Sequence, residues 1–144
     1  MKALSSCTCP VIFTPHTVEM SRLTGLEREY IEDNRLVTAK EFAEENGVTL
    51  ILKGHHTIVT GQDGEQYINI TGNSGLATGG SGDVLAGMTA SILAQGASAF
   101  SSAAAAVYLH GLAGDIAAEK YGKISMLPTD LINCIPLAYK RCGF

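Results

Sequence analysis

The sequence predicts an α/β chain: a small, partly open sheet of about four strands with helices packed on it. Three observations carry that prediction. β-rich runs occur at "PVIF", "VTLILKG", "HTIVTG" and "EQYINI", each bounded by glycine, proline or other turn residues. Segments with helical spacing lie between the first two of them and after the last, and are concentrated toward the end of the chain. The length of 144 residues, 46% apolar and 17% charged, suits one core and not two, so residues 1–144 read as a single domain.

Taken in order, "PVIF" is a short buried strand that runs into the loop "TPHT". "TVEMSRLTG" reads as a helix stopped by Gly25. "NRLVTAKEFAEENG" is a second helix, with Asn34 as N-cap, apolar positions at Leu36, Val37, Ala39, Phe42 and Ala43, and Gly47 as its stop. The next three β runs are separated by "GHH" and by the turn "GQDG". "GDVLAGMTASILAQG" is a helix with Val84, Leu85, Met88, Ile92 and Leu93 on one face and Gly96 at its end. Residues 98–121 form a long alanine-rich helix, and "PTDLINCIPLAYKRCGF" closes the chain as a helix bent or interrupted at Pro136.

Composition removes several function classes. The net charge of −4, without a basic run, argues against a nucleic-acid partner. "MKALSSCTCPVIF" lacks an apolar stretch long enough for a signal peptide. The longest apolar segment, "SAFSSAAAAVYLHGLAGDIAA", contains His110 and Asp115 and is mostly alanine, so it reads as a buried helix and not a membrane span. A cytoplasmic protein is expected. Cys7, Cys9, Cys134 and Cys142 fit a zinc site poorly and read as reduced thiols.

The stretch with most chemistry is "GNSGLATGGSGDVLAGM", residues 72–88, with six glycines running into a helix. Lacking Cβ atoms, such a backbone reaches positive φ and approaches a ligand closely. The first N–H groups of the helix then face that ligand at the positive end of the helix dipole, which suits phosphate. No Gly-Lys-Ser/Thr follows, so this is not a Walker loop. Asp83 stands at the junction and has two readings. It is either a general base toward a hydroxyl that attacks a phosphoryl group, or an acid favoured at a helix N-terminus by about 0.3–1 kcal/mol.

"TPHTVEMSRL", "ILKGHHTIV", "GNSGLATGGSGDVLAGMTASILAQG" and "AVYLHGLAGDIAAEKYG" together resemble the ADP-dependent NAD(P)H-hydrate dehydratases of the ribokinase-like superfamily. The resemblance implies the C-terminal part of a ribokinase-like three-layer sandwich. It implies a repair reaction: NADH or NADPH hydrated on its nicotinamide ring is phosphorylated on the ring hydroxyl by ADP, and loss of phosphate restores the dihydronicotinamide and leaves AMP. It places His16 and Asn73 at the substrate, and Asp83 as the catalytic carboxylate, the base toward the ring hydroxyl, which also contacts it. Lys53, Gly54, His55, His56 and Thr57, together with Gly79, Gly80, Ser81 and Gly82, would line the nucleotide. Mg²⁺ would enter with the donor phosphates, held by few protein ligands.

Each residue also has a plainer role. His16 would cap the helix that follows it, and Glu19 would be an acid of its first turn. Lys53 would be an end-of-strand lysine, and His110 a hydrogen-bonded core residue. His55 and His56, as neighbours in a strand, would point to opposite faces and share no metal. The chain departs from the family at Thr17-Val18, where Pro-Gly is usual, and in having ten residues before the strand "VIF" in place of the family's long N-terminal part. The expectation is a nucleotide-side half, completed by a homo-oligomer contact, a complementing chain or an N-terminal segment encoded elsewhere. The alternatives are a nucleotide-binding remnant without turnover and a small-molecule kinase of the same superfamily.

Overall fold

A computed structural model describes residues 7–144; Met1–Ser6, on which part of the signal-peptide reading falls, lie outside the described residues. The elements are β1 (Ile12–Phe13), α1 (Thr17–Thr24), α2 (Arg28–Asp33), α3 (Arg35–Asn46), β2 (Thr49–Leu52), β3 (Ile58–Thr60) and β4 (Gln66–Ile68). A single 3₁₀ turn at Ser74–Leu76 precedes α4 (Ser81–Leu93), α5 (Ala99–Tyr121) and α6 (Pro128–Arg141).

The sheet has the order β1-β2-β3-β4, with β1 parallel to β2 and the other pairs antiparallel. A parallel neighbour requires a crossover, which α1–α3 supply, whereas the antiparallel pairs need only short turns. All four residues of β2 are buried, as expected for a central strand with both faces covered. β4 closes the ladder with the register Ile58↔Ile68 and Thr60↔Gln66. Its Gln66 amide also reaches Leu36 O (2.9 Å) and Thr60 Oγ1 (3.2 Å).

The described residues fall into two compact units. The first runs through Asn69 and includes Ser98–Ala104. Its core joins Met20, Ile31, Ala39, Phe42, Ala43, Val48, Leu50, Leu52 and Ile58, with Val11 and Phe13 packed against it. The Phe13 and Phe42 rings meet edge to face at 5.8 Å. Each fully buried Leu or Ile here contributes about 1.5–3 kcal/mol relative to exposure. The second unit comprises Ile70–Ala97 and Ala105–Phe144. In it α4 packs on α6, with Leu85, Met88, Leu131, Cys134 and Ala138 buried.

The structure adds one helix, α2, and corrects four local readings. α2 is a helix of six residues with Ile31 alone fully buried, too short to show a periodic signal. Asn34 sits at the N-cap position of α3 without capping it; its Nδ2 donates to Tyr30 O at 2.9 Å and so completes α2. α4 ends at Leu93, and Gly96 turns the chain later with φ of 94°. α6 is not interrupted at Pro136, which lies inside a continuous helix and withdraws one donor from its ladder. α4 also buries Ser81 and Thr89 fully, whereas Val84, Ile92 and Leu93 are half-buried. The inner face is thus more polar than apolar periodicity suggests.

Candidate functional site

In the first unit the "TPH" segment leads from β1 into α1. Lys53 N donates to Pro15 O at 2.8 Å, tying the end of β2 to this loop. His16 is the N-cap of α1: its Nδ1 accepts from Glu19 N (3.2 Å), and Glu19 Oε2 accepts from His16 N (2.7 Å). This reciprocal capping box satisfies two donors that the helix itself leaves unpaired. An Nδ1 that accepts is unprotonated, which leaves the ring proton on Nε2, 3.4 Å from Glu19 Oε1. Lys53 Nζ lies 3.5 Å from Glu19 Oε2. Burial opposes ionisation of Glu19, but the His16 N–H and the Lys53 charge outweigh it and hold the carboxyl below its ordinary value. A cleft of about 390 Å³ lies beside this corner, lined by Phe13, Thr14, Pro15, Glu19, Arg22 and Leu23.

The turn from Lys53 to Thr57 joins β2 to β3. Gly54 has φ of 155°, and a Cβ there would come within 2.5 Å of Arg35 Nη1. That guanidinium donates to Leu52 O (3.1 Å) and pairs with Glu32 (3.3 Å), a brace the sequence reading missed. Thr57 Oγ1 donates to Gly54 O at 3.1 Å, closing the turn. His55 and His56 correct the strand expectation. They lie in the turn, His56 at a positive φ of 54°, so strand alternation does not apply and their rings are neighbours, edge to face at 4.0 Å. His56 Nδ1 is 3.3 Å from Asn69 O. Among the described residues no three His, Cys, Asp or Glu side chains converge as a metal site.

In the second unit the glycine-rich loop lies against α5. Thr71 Oγ1 donates to Tyr108 O (2.8 Å), Gly72 N to Asp115 Oδ2 (2.9 Å), and Asn73 Nδ2 to Asp115 Oδ1 (2.9 Å). Asn73 Oδ1 in turn accepts from Gly75 N at 2.9 Å and starts the 3₁₀ turn. Gly72 bends the chain with φ of 103°. Two helix glycines let the backbones approach: a Cβ on Gly111 would lie 2.2 Å from Thr71 Oγ1, and one on Gly114 2.8 Å from Leu76. At the other end, the buried His110 Nε2 is 3.0 Å from Ser81 O and 3.3 Å from Ser81 Oγ. His110 is therefore the core histidine expected, and burial, partly offset by the Ser81 carbonyl, lowers its pKa.

The remaining loop residues form the mouth of α4. Gly80 is its N-cap, with φ of 94°. Ser81 N bonds Thr78 O (3.3 Å), and Asp83 N and Val84 N both bond Gly80 O (3.1 and 3.2 Å). The amides of Gly79, Gly80 and Gly82 make no hydrogen bond among the described residues. Space around Gly79 is open, with no atom within 4 Å of a Cβ built there. Asp83 is exposed in the first turn, and its carboxylate has no hydrogen bond or ion pair among the described residues. Free N–H groups beside an unengaged carboxylate can bind an anion and accept a proton next to it. Asn73, by contrast, has its carboxamide oxygen engaged by Gly75 N within the loop and one amide hydrogen engaged by Asp115 of α5. Asp115, which makes that so, was legible only as one acid in an alanine-rich helix.

Comparison with known proteins gives a consistent neighbourhood. A family described as NAD(P)H-hydrate dehydratase matches residues 1–137. The bifunctional NAD(P)H-hydrate repair enzyme Nnr of Moorella thermoacetica is 45% identical over 132 residues, covering 92% of this chain and 25% of that protein. The crystal structure of the ADP/ATP-dependent NAD(P)H-hydrate dehydratase from Bacillus subtilis, co-crystallised with ATP/Mg²⁺, superposes with a TM-score of 0.88 at 35% identity, covering 92% of this chain and 48% of that one. A ribokinase-like superfamily protein from Enterococcus faecalis gives 0.80 at 37% identity, covering 97% and 50%. The chain thus has a ribokinase-like α/β architecture and spans between a quarter and a half of these relatives.

Proposed function

We propose, since the chain belongs to the NAD(P)H-hydrate dehydratase family, that it carries the catalytic loop of a nicotinamide nucleotide repair reaction: the ADP-dependent dehydration of hydrated NADH or NADPH. The observation that carries the reading is the mouth of α4, where the amides of Gly79, Gly80 and Gly82 are unpaired and the Asp83 carboxylate is unengaged. These amides suit phosphoryl oxygens, and the dipole of a thirteen-residue helix adds to them. Ser81 shapes this turn through His110.

In this reading Asp83 takes the proton from the hydroxyl of the hydrated ring as that oxygen attacks phosphorus. The loop amides meanwhile hold the negative charge that builds on the phosphoryl oxygens. ADP supplies the phosphoryl group and leaves as AMP. Phosphate is then lost from the ring, restoring the dihydronicotinamide. With no convergent ligand cluster among the described residues, Mg²⁺ would be held through the donor phosphates, Asp83 being the nearest carboxylate to the loop amides in sequence.

Within the first unit, His16 is assigned to the hydrated nicotinamide nucleotide, and Lys53, Gly54, His55, His56 and Thr57 to the adenine nucleotide. Asn73 is assigned to the substrate side of the loop through its remaining amide hydrogen. Residues 1–144 are taken as one partial ribokinase-like domain, acting in the cytoplasm and completed by a second copy or a complementing chain. No helix among the described residues is long and apolar enough to cross a membrane.

The test is to incubate the chain with hydrated NADH or NADPH and ADP and follow the return of reduced-nicotinamide absorbance. Recovery abolished in Asp83→Asn supports the reading. Because the chain spans at most half of the relatives compared, a second reading is a nucleotide-binding piece without turnover, which ADP binding without recovery would favour. ATP-dependent phosphorylation of an unrelated alcohol, with no recovery of the hydrate, would indicate a kinase instead.

A further inference from the structure

One side chain of α5 holds the start of the glycine-rich loop. Asp115 projects from α5 with both carboxylate oxygens in use, Oδ2 accepting from Gly72 N and Oδ1 from Asn73 Nδ2, each at 2.9 Å. The second bond fixes how the Asn73 amide is turned, because Oδ1 must then face Gly75 N, 2.9 Å away. A flipped amide would set its oxygen against the carboxylate and its NH₂ against the Gly75 N–H. Three donors and three acceptors thus close one chain from helix to loop: Asp115 to Gly72, Asp115 to Asn73, Asn73 to Gly75. Gly111 and Gly114 flank it on the same helix, where a Cβ would strike Thr71 and Leu76.

We propose that Asp115 is a positioning residue of the glycine-rich loop: its carboxylate holds Gly72–Asn73–Gly75 in one conformation, so that the anion-binding mouth at Gly79–Gly82 is formed before a nucleotide phosphate arrives. Asp115 itself touches no ligand. A charged acceptor is used because it binds two donors at once, and such charge-assisted bonds are about twice as strong as neutral ones. The inference rests on the proposed function for the identity of the ligand, but the hydrogen-bond chain does not depend on it.

The chain of bonds prescribes its own test, a swap. In Asp115→Asn, one of two donors is left facing an NH₂ group. In Asn73→Asp, two carboxylates face each other. In the double variant Asn73→Asp/Asp115→Asn every bond returns: the new amide oxygen accepts from Gly72 N, its NH₂ donates to the new carboxylate, and that carboxylate accepts from Gly75 N. The net charge is unchanged. The four forms of the full chain are compared by ADP titration in a calorimeter, by hydrogen exchange at Gly72 and Gly75, and by kcat and KM in the recovery assay.

Each single change is expected to speed exchange at Gly72 or Gly75, weaken ADP about tenfold and lower kcat more than it raises KM, as loop misplacement does. The swap is expected to restore ADP affinity to within about threefold of the parent and exchange at Gly72 and Gly75 to the parent rate, the non-additivity of groups in one network. A swap that binds ADP as weakly as the worse single change would overturn the proposal, because the pair would then not act on the loop through the bond between them. So would single variants that bind ADP and turn over like the parent. If the parent binds ADP without recovery, the dehydratase reading fails while affinity still decides this one; if it binds no ADP, both fail. Should a single variant not fold, the affinity of the swap remains decisive.

Discussion

Replacing Gly111 by alanine tests how closely the loop backbone lies against α5. In an unobstructed helix this change stabilises by about 1 kcal/mol, because glycine loses more backbone entropy on folding. At Gly111 the new Cβ would lie 2.2 Å from Thr71 Oγ1, 2.7 Å from its carbonyl carbon and 2.8 Å from its carbonyl oxygen. The hydroxyl can rotate away, at the loss of its bond to Tyr108 O, about 0.5–1.5 kcal/mol. The carbonyl is backbone and moves only with the loop, an overpacking cost of about 1–3 kcal/mol. The net expectation is destabilisation by about 2 kcal/mol. At roughly 2–4 °C per kcal/mol for chains of this size, the melting temperature falls by about 4–8 °C. Gly87 is the control: it is exposed on α4 with nothing within 4 Å of a built Cβ, and its alanine variant should melt about 1–3 °C higher. Thermal unfolding followed by far-ultraviolet circular dichroism reads both. A Gly111→Ala protein melting at or above the parent would refute the close approach of loop and helix.

Three further outcomes are expected. His110 has a lowered pKa in the fold, so the unfolded chain binds a proton more readily. Its contribution is therefore complete above the ordinary histidine value of about 6.5 and declines as pH falls below it; urea midpoints at pH 7.5 and 5.5 should differ less in His110→Gln than in the parent. His16→Ala removes the side-chain cap of α1 and should lower stability by about 0.5–1 kcal/mol in urea unfolding, with an unchanged m-value. Finally, Cys7, Cys9 and Cys142 are exposed and Cys134 is buried, so a thiol reagent should label three cysteines in the native chain and the fourth only after denaturation.

The sequence reveals the fold where the pattern is one of alternation or punctuation. β2, β3 and β4 stand where apolar runs meet turn residues, and Gly25 and Gly47 end α1 and α3 in the left-handed conformation expected of them. It conceals what depends on distant partners. Asn34 looks like a cap, but the carbonyl of Tyr30 competes for its side chain. Arg35 gives no sign that it will brace the turn at Gly54, since that contact joins residues far apart in the chain. The glycine-rich loop was legible because glycine density is a local property. Asp115 was not, because only folding brings α5 behind Gly72.

The paired rings at the tip of the β2–β3 turn have a spectroscopic consequence. The chain contains no tryptophan, so intrinsic fluorescence offers little to follow ligand binding. His55 and His56 supply a substitute, for two aromatic rings edge to face at 4.0 Å shift each other's proton resonances by ring currents. Those imidazole signals are few in a protein with four histidines and resolve without isotopic labelling. A molecule that settles on the "KGHHT" turn must disturb the pair, and the displacement of its resonances during a titration would report occupancy residue by residue.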